Sequence, residues 1–200
     1  ATKSAYDFFA NDQVEYTALI ESERQATLSR IQQETLVLAV QDTTEINLTQ
    51  YPTIKGQGWL SRNNHTGFFV HSTLCVSSSG VPMGLLDQSC WVRAEKADPQ
   101  LKRQRHTQRT IEEKESYKWL QALKRVSSAC PASTTLLFVS DAESDIHDYF
   151  ACERPAHVDV LVRACQNRRL VDSEQLLWPT LRQTPAAGTV KIEVTAQAGR

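Results

Sequence analysis

No apolar run in this chain approaches the roughly 18 residues that a membrane-spanning helix needs. The N-terminus also lacks the pattern of a signal peptide, so no membrane partner is expected. The five cysteines, Cys75, Cys90, Cys130, Cys152 and Cys165, are odd in number and form no C-x-x-C pair. That argues against a disulfide framework or a zinc ribbon and for reduced thiols in a cytosolic protein. Charge of one sign is not in excess either, because 22 basic and 23 acidic residues leave a formal net of −1. A polyanionic partner would therefore have to be held by local patches. Internal repeats and low-complexity tracts are lacking, and so is an initiator methionine. Together with an end just past a strand-like segment, the missing methionine leads us to expect a fragment of a longer protein. The 200 residues have an ordinary apolar content, enough for one domain with a sizeable core.

What is present is organised around residues 35–44, Thr-Leu-Val-Leu-Ala-Val-Gln-Asp-Thr-Thr. Leu36 to Val40 are unbroken apolar and read as a strand buried on both faces, ending at the carboxylate of Asp42. The same grammar returns at Leu136-Leu137-Phe138-Val139-Ser140-Asp141. Two buried strands that each deliver an Asp at the carboxyl end point to one metal site on the rim of one sheet.

Residues 4–34 read as helical, with an aromatic cluster at Tyr6, Phe8 and Phe9 and possible breakers at Asn11 and Asp12. Thr49 to Asn64 reads as a loop, and 66–76 with 81–92 as a hairpin. Residues 93–110 carry six basic residues against Glu95 and Asp98, a net of +4, as a solvated loop or a phosphate-binding segment. Thr110 and Glu113 form a capping-box pattern opening a helix with Trp119, Leu120, Leu123 and Val126 on one face. After Asp141, Ser144 is placed to cap a helix with Ile146, Tyr149 and Phe150 on a common face. A strand at Val158–Arg163, a helix at 173–183 and an alternating strand at Thr189–Thr195 complete the order.

An antiparallel trio followed by parallel strand–helix units is the ribonuclease-H-like layout: an α/β fold with a mixed sheet and helices on both faces. Residues 1–34 would be a helical N-terminal segment, 35–185 the core and 186–200 the start of a β-rich insertion. Ligands of such sheets bind outside strand carboxyl ends where the order reverses. Asp42 and Asp141 would then sit side by side, an oxygen donor set suited to Mg2+. Two ions acting together normally need a third acid, for which Glu143, Asp145, Glu193 and a residue beyond Arg200 are candidates. His71 reads as a packed core residue and His147 as an exposed one.

Four stretches occur in one order: Gln41-Asp42-Thr43-Thr44-Glu45, the hairpin from Phe69-Val70-His71-Ser72 to Gly84-Leu85-Leu86, the helix Glu113 to Leu120, and Val139-Ser140-Asp141-Ala142-Glu143-Ser144-Asp145-Ile146-His147. This order resembles the DDE transposases of bacterial insertion sequences, insertion-sequence-four family, from about residue 5 to the end. The resemblance implies Mg2+-dependent strand cleavage and strand transfer in cut-and-paste transposition, with Mn2+ able to substitute. It also implies double-stranded DNA (transposon ends and target) as partner, a homodimer on paired ends, and a bacterial, cytoplasmic, nucleoid-associated protein. Asp42 and Asp141 correspond to the first two acids of the triad. Arg163 and Arg168 fall where the family places basic residues that touch DNA. The chain departs from the family in having Ala142 where Arg often follows the second acid, and in lacking the Tyr-Arg-Glu-Lys signature that carries the third. An incomplete catalytic core is therefore expected. Two alternatives stay open: a non-catalytic DNA-binding or inhibitory remnant, and a self-sufficient nuclease using Glu143 or Glu193.

Overall fold

The apolar run beginning at Leu36 forms β1 (Leu36–Asn47), the strand on which the computed structural model is built. Residues 2–62, 64–94 and 109–191 are described. They fall into two units, Ala1–Arg163 and Ala164–Arg200. In the first unit, α1 (Thr2–Phe9) and α2 (Tyr16–Ile31) precede β1. They are followed by β2 (Gly58–Trp59), β3 (Thr66–Ser77), β4 (Pro82–Trp91), α3 (Tyr117–Ala129), β5 (Thr135–Ser140), α4 (His147–Ala151) and β6 (Val158–Val162). Sheet order is β2-β3-β1-β5-β6, with β4 also on β3. β1 occupies one edge of β3 from Gly67 to Ser77, so β2 and β4 share the other. Pairing is antiparallel among β1, β3 and β4 and parallel from β1 through β5 to β6. The result is a six-stranded mixed sheet with helices, an α/β fold.

β1 differs from its sequence reading in two ways. It alternates, with Val37, Ala39 and Gln41 buried and Leu36, Leu38 and Val40 half-buried. It also runs on past Asp42 to Asn47, because β3 continues to offer partners as far as Gly67 after β5 has stopped at Val139. The buried residues of β1 share a face with Cys75, Leu136, Phe138 and Val158, and onto this face pack Ile31 of α2, Trp119, Leu120, Leu123 and Val126 of α3, and Tyr149 of α4. Helices were expected on both faces, but α2, α3 and α4 all bury their side chains on this one. The apolar face of α3 recurs at helical spacing, and each large side chain it buries contributes roughly 1.5–3 kcal/mol.

Local starts and stops explain the other differences. The N-terminal helix is broken at Asn11, whose Oδ1 accepts the Gln13 N–H (2.9 Å), an Asx turn that competes with the helix. α1 buries nothing, and Tyr6 and Phe9 stay exposed. The Thr110–Glu113 capping box forms, but it closes a separate 3-10 turn, Ile111–Glu113, and α3 begins later, at Tyr117. After β5, Asp141 rather than Ser144 does the capping: its side chain accepts the Glu143 N–H at the head of a second 3-10 turn, Ala142–Ser144. Ser144 is buried, with its hydroxyl shared with Ser140 Oγ at 2.6 Å. In α4, Tyr149 is buried whereas Phe150 is turned outward, so the two do not share a face.

In the second unit, a single bridge (Arg169 with Leu176) precedes α5 (Leu177–Gln183), and Asn167 Oδ1 accepts the Trp178 N–H at 3.0 Å. This helix is shorter than the 173–183 expected. Most of the Thr189–Thr195 strand, Glu193 and the greater part of the basic run at 93–110 lie outside the described residues.

Candidate functional site

Parallel register decides where the two sequence-predicted acids sit. β1 and β5 pair from Leu36 with Thr135 to Val40 with Val139, and β5 and β6 pair Val139 with Leu161. Two residues further along the chain come Asp42, Asp141 and Arg163. Asp42 lies within β1, and Asp141 and Arg163 follow directly on the last residues of β5 and β6, Ser140 and Val162, so all three come just after the row Val40, Val139, Leu161. Strands in such a sheet are ~4.8 Å apart, and β1 and β5 are neighbours, so the two acids follow on adjacent strands. Their side of the sheet follows from the period of two: Gln41 and Ser140 are buried toward the helices, and Asp42 and Asp141 are exposed on the opposite face.

Asp141 is the better anchored of the two. Its Oδ1 accepts the Glu143 N–H (2.9 Å), and its carbonyl accepts the Ser144 hydroxyl (2.8 Å). Asp42 is fixed mainly through its backbone, opposite Ser72 on β3, and its carboxylate has a long contact (3.5 Å) from the Thr44 hydroxyl. Arg163 is exposed, and its N–H donates to Ser140 O (3.2 Å), carrying the β5–β6 pairing one step past Val162. Arg168 lies in the second unit, half-buried, with its carbonyl accepting the Leu177 N–H (2.8 Å).

Of the candidate third acids, Glu193 lies outside the described residues, and neither Glu143 nor Asp145 completes a group of three acids with this pair. Glu143 is exposed and reaches Lys118 Nζ (3.4 Å). Asp145 is turned inward at 5% exposure. Among the described residues no group of three or more His, Cys, Asp and Glu side chains could hold a metal ion. The sequence reading missed two cations that brace this end of the sheet. Arg93 makes a two-pronged ion pair with Glu115 and lies over the Phe69 ring (4.1 Å). The Lys118 ammonium is held near the Trp91 and Trp119 rings at 5.5 and 5.4 Å. Both follow from how α3 docks on β3 and β4, which no local pattern reveals.

Beneath the acids is a buried polar layer. The Tyr149 hydroxyl donates to Gln41 Oε1 (3.3 Å), and Thr43 Oγ1 meets His71 Nδ1 (2.9 Å). The His71 ring lies edge-on to Trp119 (4.6 Å). His71 is wholly buried, as expected of a core residue, and burial, then the charges of Lys118 and Arg125, push its pKa from 6.5 down to about 4. The unfolded chain therefore binds more protons between these values, and stability falls as pH drops from about 6.5 toward 4, by up to about 3 kcal/mol. Denaturant unfolding at neutral and acid pH should show this loss in the wild type and only a residue of it in His71→Gln. An equal loss in both proteins would assign the acid sensitivity elsewhere. His147 is exposed at the start of α4.

No model of a known protein family matches the sequence. Among the described residues no helix is long and apolar enough to cross a membrane.

Proposed function

We propose that this chain is the ribonuclease-H-like catalytic core of a DDE transposase of the insertion-sequence-four type. The reading rests on Asp42, Asp141 and Arg163, which come just beyond the stretch where the parallel neighbours β1, β5 and β6 are paired. The donor set fits a hard divalent cation: two exposed carboxylates, one within β1 and one directly after β5. Asp42 and Asp141 would hold Mg2+, or Mn2+ in its place. When bound, such an ion supplies charge neutralisation at a phosphodiester and a more acidic attacking water or hydroxyl. Asp141 keeps its geometry through the Glu143 N–H. Arg163 would pair with a phosphate flanking the scissile one, where a guanidinium can make two parallel hydrogen bonds. Double-stranded DNA, a homodimer on paired ends and a bacterial cytoplasmic setting belong to the same reading.

Among the described residues no third acid joins Asp42 and Asp141, so with these two alone one ion should bind weakly and cleavage should be slow. A second reading, a DNA-binding or inhibitory remnant without catalysis, needs no third acid. Titration with Mn2+, followed by incubation with supercoiled plasmid, separates the two. Mn2+ binding with a Kd of about a millimolar, comparable to weak carboxylate sites, supports the catalytic core. No binding at tenfold higher concentration, roughly, leaves only the remnant. Robust nicking would show that the third acid lies within the chain.

A further inference from the structure

Between Glu45 and Asp87 the chain contains no carboxylate at all, while Lys55 and Arg62 fall in the same interval. Residues 48–57 of this interval form a loop that leaves β1 at Asn47, five residues beyond Asp42, and is held in one shape by its own polar groups. Thr49 is bonded twice to Asn47 Oδ1, through its N–H (3.0 Å) and its hydroxyl (2.6 Å). The Gln57 amide donates to the carbonyls of Tyr51 (2.7 Å) and Ile54 (2.9 Å), and its oxygen accepts from the Thr66 hydroxyl (2.7 Å). Leu48 N–H donates to Thr66 O, and Ile54 N–H closes a turn onto Tyr51 O. Gly56, at φ +80, supplies the left-handed residue the loop needs on its way to β2.

This ordered loop presents apolar side chains to solvent. Tyr51 is 58% exposed and Ile54 47%, three residues apart on the same turn, with Lys55 exposed beside them. A flexible loop could fold such groups away, but here the hydrogen bonds hold the backbone that displays them. An apolar tip within a stretch of only positive charge suits double-stranded DNA better than a protein surface of mixed charge.

We infer that the 48–57 loop is a DNA-contacting element, with Tyr51 and Ile54 lying against a base step and Lys55 against a neighbouring phosphate. The inference rests on the proposed function and adds a substrate contact to it. From Asp42 to Asn47, where the loop begins, β1 advances five residues, roughly 17 Å at strand rise. One DNA strand rises ~3.4 Å per nucleotide along the helix axis, so on a duplex lying along β1 the contact falls roughly five nucleotides from the phosphate at Asp42.

The test measures binding of the chain to a mixed-sequence DNA duplex containing 2-aminopurine, alongside Mn2+ titration and thermal unfolding of each variant. Tyr51→Ala should bind about tenfold more weakly, as loss of an aromatic–base contact implies. It should also lose the 2-aminopurine fluorescence change and unfold at the wild-type temperature. Tyr51→Phe should restore both signals, and Lys55→Gln should lower the salt slope by about one. Wild-type duplex binding that Tyr51→Ala leaves intact overturns the inference, as does a wild type that binds no duplex. Either result leaves the metal-site reading standing if Mn2+ still binds through Asp42 and Asp141. Tyr51-dependent duplex binding without any Mn2+ site would uphold the loop contact and sink the catalytic reading.

Discussion

Asp42→Asn and Asp141→Asn should each remove detectable Mn2+ binding and cut any Mn2+-dependent nicking by more than roughly 100-fold, beyond what losing an outer partner of a ligand costs. The substitutions should do so without unfolding the protein. Asn at 141 still accepts the Glu143 N–H, since Asn caps helix starts as well as Asp does. At 42 the only side-chain contact in question is the 3.5 Å approach of Thr44, too long to matter for stability. Exposed like charges on neighbouring strand ends repel, so removing one should leave the melting temperature level or slightly raised. The exposed acid Asp148 on α4 provides a control, and Asp148→Asn should change neither signal. Calorimetric titration and thermal unfolding on the same samples decide the matter. A large fall in melting temperature with metal binding retained would make these carboxylates structural, and Asp42, Asp141 and Arg163 would then be a capping arrangement.

The two acid-bearing strands were legible because each is an unbroken apolar run closed by a carboxylate, a local signal. Which face of β1 the helices cover was not legible. Leu36, Leu38 and Val40 are as apolar as Val37 and Ala39, and only the docking of Trp119, Leu120 and Leu123 tells the two sets apart. The extension of β1 to Asn47 was hidden for a related reason. Asp42, Thr43, Thr44 and Glu45 look like the start of a loop, and they are held extended by partners on β3 some thirty residues away, His71 opposite Thr43 among them. β2, two residues long, has no periodicity to read. The capping box at Thr110 forms, but the helix it is expected to open starts only at Tyr117, because sequence cannot say whether three residues or thirteen follow a cap in helical form. Arg163 was singled out by resemblance. Its alignment with Asp141 follows from the β5–β6 register, a long-range fact that no stretch of either strand carries alone.

Trp119→Ala should destabilise the fold by about 3–5 kcal/mol, the range for deleting a buried aromatic side chain. Trp119 is 1% exposed and among the largest fully buried side chains of the core. Its neighbour His71 cannot close the gap easily, because it sits on the central strand β3, pinned on both sides by β1 and β4. Against a total stability of about 5–15 kcal/mol for a domain of this kind, such a loss leaves the chain partly unfolded at moderate temperature. Trp119→Phe keeps an aromatic edge toward His71 and should cost less than half as much. The effect should reach the acids too. Trp119 supports the His71 ring, His71 holds Thr43, and Thr43 follows Asp42 on the same strand. In Trp119→Phe, still folded, Mn2+ binding should therefore weaken although no ligand has been changed. Urea unfolding of both variants, with metal titration of the Phe variant, gives the two readings. A loss below about 1 kcal/mol in Trp119→Ala would mean that the α3 face is not what holds β3 in place. Unaltered Mn2+ affinity in Trp119→Phe would mean that the strand positions Asp42 without help from the layer beneath it.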